Sequence, residues 1–131
     1  MKYSECKTEQ AFKMEWLRRN KGKYLAAFPI ETEETVKGFP DVLLIEESGD
    51  GGQTPFFVEF KKARGGCVTF QPTQPSFYKR NERLFISVVS LVELKGKTYV
   101  VALPARVAMA ALNGGLRLDL RPFCIEAAEA V

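Results

Sequence analysis

The sequence predicts an α/β domain, a central sheet with helices packed on its faces. Three observations predict it. Strand-length apolar runs recur along the chain, at Val42–Ile45, Phe56–Phe60, Cys67–Phe70, 84–93 and Thr98–Leu103. Segments of helical period or with helix-start signals lie among them, at 4–19, 73–82 and 105–112. No repeat or low-complexity linker divides the 131 residues, so one domain of 1–131 with a substantial core is expected.

The first helix, 4–19, has Ser4 or Thr8 available as N-cap. Phe12 and Trp16, four apart, form its inward stripe. Glu9 falls on that stripe and Glu5 a turn earlier, whereas Glu15 lies well off it. An acid in the first turn also suits the helix dipole, so Glu9 has an ordinary reading too. Gly22 stops the helix, and 24–30 reads as a strand whose Pro29 implies an edge or a bend. Residues 31–38 are an acidic approach closed by Gly38, where glycine allows a sharp turn or the close passage of a phosphate backbone. The runs Val42–Ile45 and Phe56–Phe60 flank a polar, glycine-rich loop and read as a hairpin. Alternation puts Phe57, Glu59 and Lys61 on one face, Phe56, Val58 and Phe60 on the other, and the hairpin brings Asp41 alongside Glu59.

After a loop at 63–66 and the strand Cys67–Phe70, Thr73 can cap a helix that Pro75 helps to start, running to about Glu82. Gln74 and Tyr78 share one of its faces, which can equally be a water-facing residue and a core aromatic. The β-branched run 84–93, the turn Lys95-Gly96-Lys97 and Thr98–Leu103 form a second hairpin. Pro104 opens the helix 105–112, stopped by Asn113-Gly114-Gly115, and 116–120 reads as a last strand or a dimer arm.

The 46% apolar and 27% charged content is that of a soluble globular protein, without the ~20-residue apolar run of a membrane helix. No apolar leader follows Met1, so a cytoplasmic setting, bacterial or in a phage-infected host, is expected. Three scattered cysteines and no histidine exclude a zinc pattern, a disulfide framework and histidine-based nucleophilic catalysis, which leaves carboxylates, lysine and tyrosine. The net charge of +3 is unevenly spread. Residues 31–50 carry seven acids and one base, residues 61–83 six bases and one acid, and a further basic group spans 13–23. Such clusters suit a polyanion, though solvated faces are charged as well.

Two carboxylates and an ammonium on one side of an apolar strand are costly unless they pair or hold a metal. A cross-strand salt bridge of Lys61 with Glu59 or Asp41 is the plain alternative. The functional reading is a divalent-metal site with Asp41 and Glu59 as hard oxygen ligands suited to Mg²⁺. Pro40-Asp41 followed, after 17 residues, by Glu59-Phe60-Lys61 resembles the PD-(D/E)xK nuclease signature. With Gly38 before it and a helix opening on Gln74 after it, the pattern is most similar to phage-type stand-alone VRR-NUC domains, over roughly Glu9 to Tyr78. Phe39, between Gly38 and Pro40, falls where that family varies.

The resemblance implies a restriction-endonuclease-like fold with a central mixed sheet, and an Mg²⁺-dependent DNA nuclease, Mn²⁺ serving as substitute. It implies metal binding by Asp41, Glu59 and the Phe60 carbonyl, with Glu9 (Glu5 as fallback) direct or through water. Lys61 would position or help deprotonate the attacking water, and Gln74 would orient the site. Tyr78, in the Gln-x-x-x-Tyr element of RecB-like exonucleases, would contact DNA. Lys62, Arg64, Lys79 and Arg80 would hold flanking phosphates. A branched or Holliday-junction substrate and a homodimer are compatible expectations. A catalytically idle domain of the same fold that binds DNA or protein, and an unrelated interaction protein with a salt-bridge network, are the other readings.

Overall fold

The computed structural model describes residues 1–30, 38–112 and 115–131. The acidic approach at 31–37 and the Asn113-Gly114 part of the expected helix stop lie outside them. The strands are β1 (Ala26–Pro29), β2 (Val42–Glu47), β3 (Gln53–Lys62), β4 (Cys67–Thr69), β5 (Ile86–Leu94), β6 (Lys97–Pro104) and β7 (Arg117–Asp119). The helices are α1 (Glu9–Arg19), α2 (Thr73–Arg80), α3 (Ala105–Ala110) and α4 (Arg121–Cys124).

Five strands form a mixed sheet in the order β1-β2-β3-β5-β6. The β2–β3 hairpin is antiparallel, with Val42 opposite Val58 and Glu47 opposite Gln53. From β3 the chain crosses through β4 and α2 to β5, which runs parallel to β3 from Phe57↔Ile86 to Lys62↔Leu91. A parallel neighbour demands such a crossover, and α2 supplies it. The second hairpin closes the sheet antiparallel.

The sheet is covered on both faces, which is why β5 is a nearly unbroken apolar run. On one face α1 sets Phe12 against Val42, Leu44, Val58, Phe60, Val89 and Leu91. Phe12 and Phe60 meet edge to face, with ring centroids 5.8 Å apart. On the other face Phe77, Tyr78, Ala105, Ala108, Leu118 and Leu120 pack on Val88 and Val92. Phe57 belongs to that second core, and Val58 and Phe60 to the first, as strand alternation requires. No helix among the described residues is long and apolar enough to cross a membrane.

Several boundaries differ from expectation. The first helix starts at Glu9, because Thr8 is extended and its Oγ1 accepts the Ala11 N–H at 3.0 Å. Ahead of it Tyr3–Glu5 is a separate 3-10 turn, in which Glu5 accepts the Lys2 N–H at 2.9 Å. Helix α2 stops at Arg80, two residues early, where the Asn81 side chain donates to the Phe77 carbonyl at 2.8 Å. Strand β5 begins at Ile86, and Leu84 and Phe85 stand exposed before it. The expected strands at 67–70 and 116–120 leave the main sheet and pair with each other as a β4–β7 ribbon, so the second is a strand. The short helix α4, with Pro122 in its first turn, has no counterpart in the expectations.

Candidate active site

The hairpin carries Asp41 to the same end of the sheet as Glu59. Asp41 donates its N–H to the Val58 carbonyl at 3.0 Å, one residue out of the Val42↔Val58 register, so the regular β2–β3 ladder gives way to an offset at the site. Its Oδ2 accepts the Phe60 N–H at 2.9 Å, turning the carboxylate toward β3. Glu59 is buried, and so is Lys61, two residues on along the same face.

Gln74, the second residue of α2, joins them. Its Nε2 donates to Glu59 Oε1 at 2.9 Å, and its Oε1 accepts Lys61 Nζ at 3.0 Å and the Gln71 N–H at 2.9 Å. Two donors on the oxygen fix which way the amide points. Lys61 donates a second bond to the Thr69 carbonyl at 3.3 Å, and its amine lies 5.0 Å from the Phe70 ring centroid. Gln74 is only 7% exposed, so the water-facing reading of that residue is excluded.

The electrostatics follow from this geometry. Burial first, then the hydrogen bond with and the charge of Asp41, raise the Glu59 pKa to about 9, and Lys61 only partly opposes this. Two carboxylates in one sheltered place cannot both ionise cheaply, so near neutral pH Glu59 keeps its proton. Glu9, the first residue of α1, is exposed but close enough for electrostatic coupling. Its pKa is raised by desolvation, lowered by Lys61, raised by Asp41 and lowered by Arg64.

Asp41 and Glu59 form a pair of adjacent hard oxygen donors with a proton that a cation would replace, which fits a divalent metal of the Mg²⁺ class. Among the described residues no three carboxylate, thiol or imidazole side chains stand close enough to hold an ion together. Glu9 therefore does not close a direct three-carboxylate cluster, and Glu5 is held in its 3-10 turn.

The remaining expected residues are scattered. Lys62 is half-buried, and Arg64, Lys79 and Arg80 are exposed. Lys79 and Arg80 lie toward the end of α2 remote from Gln74. There Lys79 lines an apolar groove of about 880 Å³ with Thr54, Phe56, Phe85 and Ile86. Tyr78 is 5% exposed and packs edge-on to Phe70 and Phe77, so its ring is a core aromatic, not a surface DNA contact. Its buried hydroxyl has no partner among the described residues. Burial, and then the Glu59 and Asp41 charges, raise its pKa.

The buried acid of α1 is Glu15, expected off the inward stripe. Its carboxylate is covered by the guanidinium groups of Arg18 and Arg19, whose hydrogen bonds lower its pKa to about 2. Arginines at i+3 and i+4 were the available signal for a structural ion cluster. The Thr69 carbonyl and Gln71 N–H gave no signal, because main-chain groups carry none.

No protein-family model matches the chain, and no curated protein sequence matches it. Among solved structures it is similar to Hjc, a Holliday junction resolvase from the archaeal hyperthermophile Archaeoglobus fulgidus. The TM-score is 0.58 at 15% identity, over 87% of this chain and 92% of that one. The likeness is one of fold: the α/β architecture with a central mixed sheet is that of the resolvase.

Proposed function

We propose that this chain is a metal-dependent deoxyribonuclease that hydrolyses phosphodiester bonds in branched DNA. One observation carries the reading: the buried hydrogen-bonded series Lys61–Gln74–Glu59, with Asp41 against Glu59, all at one end of the sheet. A plain salt bridge does not account for it, because Lys61 pairs with an amide and a carbonyl while Glu59 interacts with the Asp41 carboxylate. The fold shared with a junction resolvase supports branched DNA as the substrate, and the Gly38, Pro40-Asp41, Glu59-x-Lys61 and Gln74 pattern supports the VRR-NUC branch.

Asp41, Glu59 and the Phe60 carbonyl would hold Mg²⁺ or Mn²⁺, with Glu9 through water. Bound there, such an ion supplies charge neutralisation at the scissile phosphate and a more acidic water. Gln74 and Thr69 take two of the three Lys61 ammonium protons, leaving one to orient a water or a phosphate oxygen. Hydrolysis forms a phosphorus–oxygen bond to that water and breaks the one to the leaving oxygen, which takes up a proton. Both α1 and α2 begin at the site, so their positive dipole ends favour the phosphate there. Arg64 and Lys62, next along the chain, serve flanking phosphates, and a two-fold dimer would offer two sites to a four-way junction.

Labelled linear, nicked and four-way DNA incubated in Mn²⁺ and in EDTA tests the reading, together with Lys61→Ala and Asp41→Ala. Both variants are expected to keep the fold by circular dichroism and to lose cleavage by at least ~10³-fold. Undiminished cleavage in either variant would count decisively against the assignment. Light scattering on the eluting protein reads the dimer directly.

A further inference from the structure

The β4–β7 ribbon carries a cation that the site described above does not use. Thr69 and Arg117 are paired across the ribbon, and cross-strand partners point to the same side. Val68 and Leu118 point the other way, into the core, while Thr69 and Arg117 are exposed. The same Thr69 supplies the carbonyl that accepts Lys61 Nζ. Beside it the Phe70 N–H donates to the Leu116 carbonyl at 2.9 Å, so Arg117 is held in register with the residue that anchors Lys61.

The next arginine along the chain, Arg121 at the start of α4, is already engaged, because it donates to Asp119 at 2.9 and 2.7 Å. That contact, with a smaller contribution from the Arg117 charge, lowers the Asp119 pKa to about 2. Among the described residues no carboxylate lies within ion-pair distance of Arg117. The β5–β6 turn adjoins the ribbon. A Cβ on Gly66 would meet the Arg121 side chain at 2.6 Å and Leu94 at 3.3 Å, and exposed Lys95 and Lys97 follow Leu94.

We propose that Arg117, with the Thr69 hydroxyl beside it, binds a phosphate of the DNA strand neighbouring the one cleaved. Lys95 and Lys97 then follow the backbone outward. The substrate in this arrangement continues past the site on the ribbon side, and a strand ending there loses the contact. The inference rests on the nuclease reading and adds the path of the DNA.

Fluorescence anisotropy of a labelled duplex in EDTA, over a series of salt concentrations, tests it with Arg117→Ala, Arg117→Glu and the control Arg106→Ala on α3. Arg117→Ala is expected to bind about 3–10-fold more weakly and to lower the salt slope by roughly one phosphate's worth, with Arg117→Glu weaker still. The control should match the parent. Equal affinity and slope in the Arg117 variants, or an equal loss in the control, overturns the proposal and leaves the nuclease reading standing. A parent protein that fails to bind DNA at low salt overturns both.

Discussion

Gln74 is the residue on which two buried ionisable groups lean, since its amide answers the Glu59 carboxyl group on one side and the Lys61 amine on the other. Gln74→Leu keeps the volume and removes both partners. We expect it to cost about 1–3 kcal/mol in urea unfolding, from stranded polar groups, and to cut cleavage at least tenfold because Lys61 loses an anchor. A fully active Gln74→Leu would assign the amide to packing alone. Glu59 makes a second prediction at this scale. In the unfolded chain it titrates near 4.5, and in the folded metal-free protein near 9. Below 4.5 both states hold the proton; as pH rises through the window to 9 the unfolded chain releases it first, so stability declines. In EDTA the melting temperature should therefore fall from pH 5.5 to pH 8 more steeply than in Glu59→Gln. Mg²⁺ should raise it more at pH 8 than at pH 5.5, and a metal effect independent of pH would contradict the proton retained on Glu59.

At the scale of elements, the site depends on how the approach to β2 meets the start of α2. Gly38 has φ +90°, and a Cβ there would stand 2.3 Å from the Thr73 carbonyl oxygen. The close approach that glycine permits is thus to a helix of the same chain. Gly38→Ala must push α2 away, taking Gln74 with it. We expect a loss above ~2 kcal/mol together with impaired cleavage. Thr8→Ala, which removes only the α1 cap, should cost about 1 kcal/mol. Equal unfolding midpoints for the two variants would contradict this account. The β2–β3 hairpin and the Asp41–Glu59 juxtaposition were legible in the sequence because both follow from local alternation and one short loop. The pairing of β4 with β7 was not, because its partners lie about fifty residues apart and neither strand is long enough to announce a sheet. The exposure of Glu9 and the burial of Glu15 were inverted for a related reason. An apolar stripe marks where hydrocarbon goes, and it does not register a carboxylate buried under its own arginines.

Across the whole molecule, the acidic hairpin tip and the candidate site are separated along the strands. The hairpin tip with Glu46, Glu47 and Asp50 lies at the start of β3, while Glu59 and Lys61 lie near its end. Glu47 stands six residues along from Asp41, a span of roughly 20 Å. Near physiological salt the screening length is ~8 Å, so tip charges barely reach the site. They do meet an approaching polyanion at low salt, and they turn it toward the basic end that carries Lys62, Arg64, Arg117, Lys95 and Lys97. The double variant Glu46→Lys, Glu47→Lys separates these effects, because both residues are exposed and the folded core should be unaffected. Stopped-flow binding is expected to show faster association at low salt, the gain fading as salt rises. The single-turnover cleavage rate at saturating protein should stay within about twofold of the parent at physiological salt, since two to three screening lengths intervene. A tenfold change in that rate would mean that the tip touches the bound DNA, and the path along the ribbon would then have to be redrawn to include it.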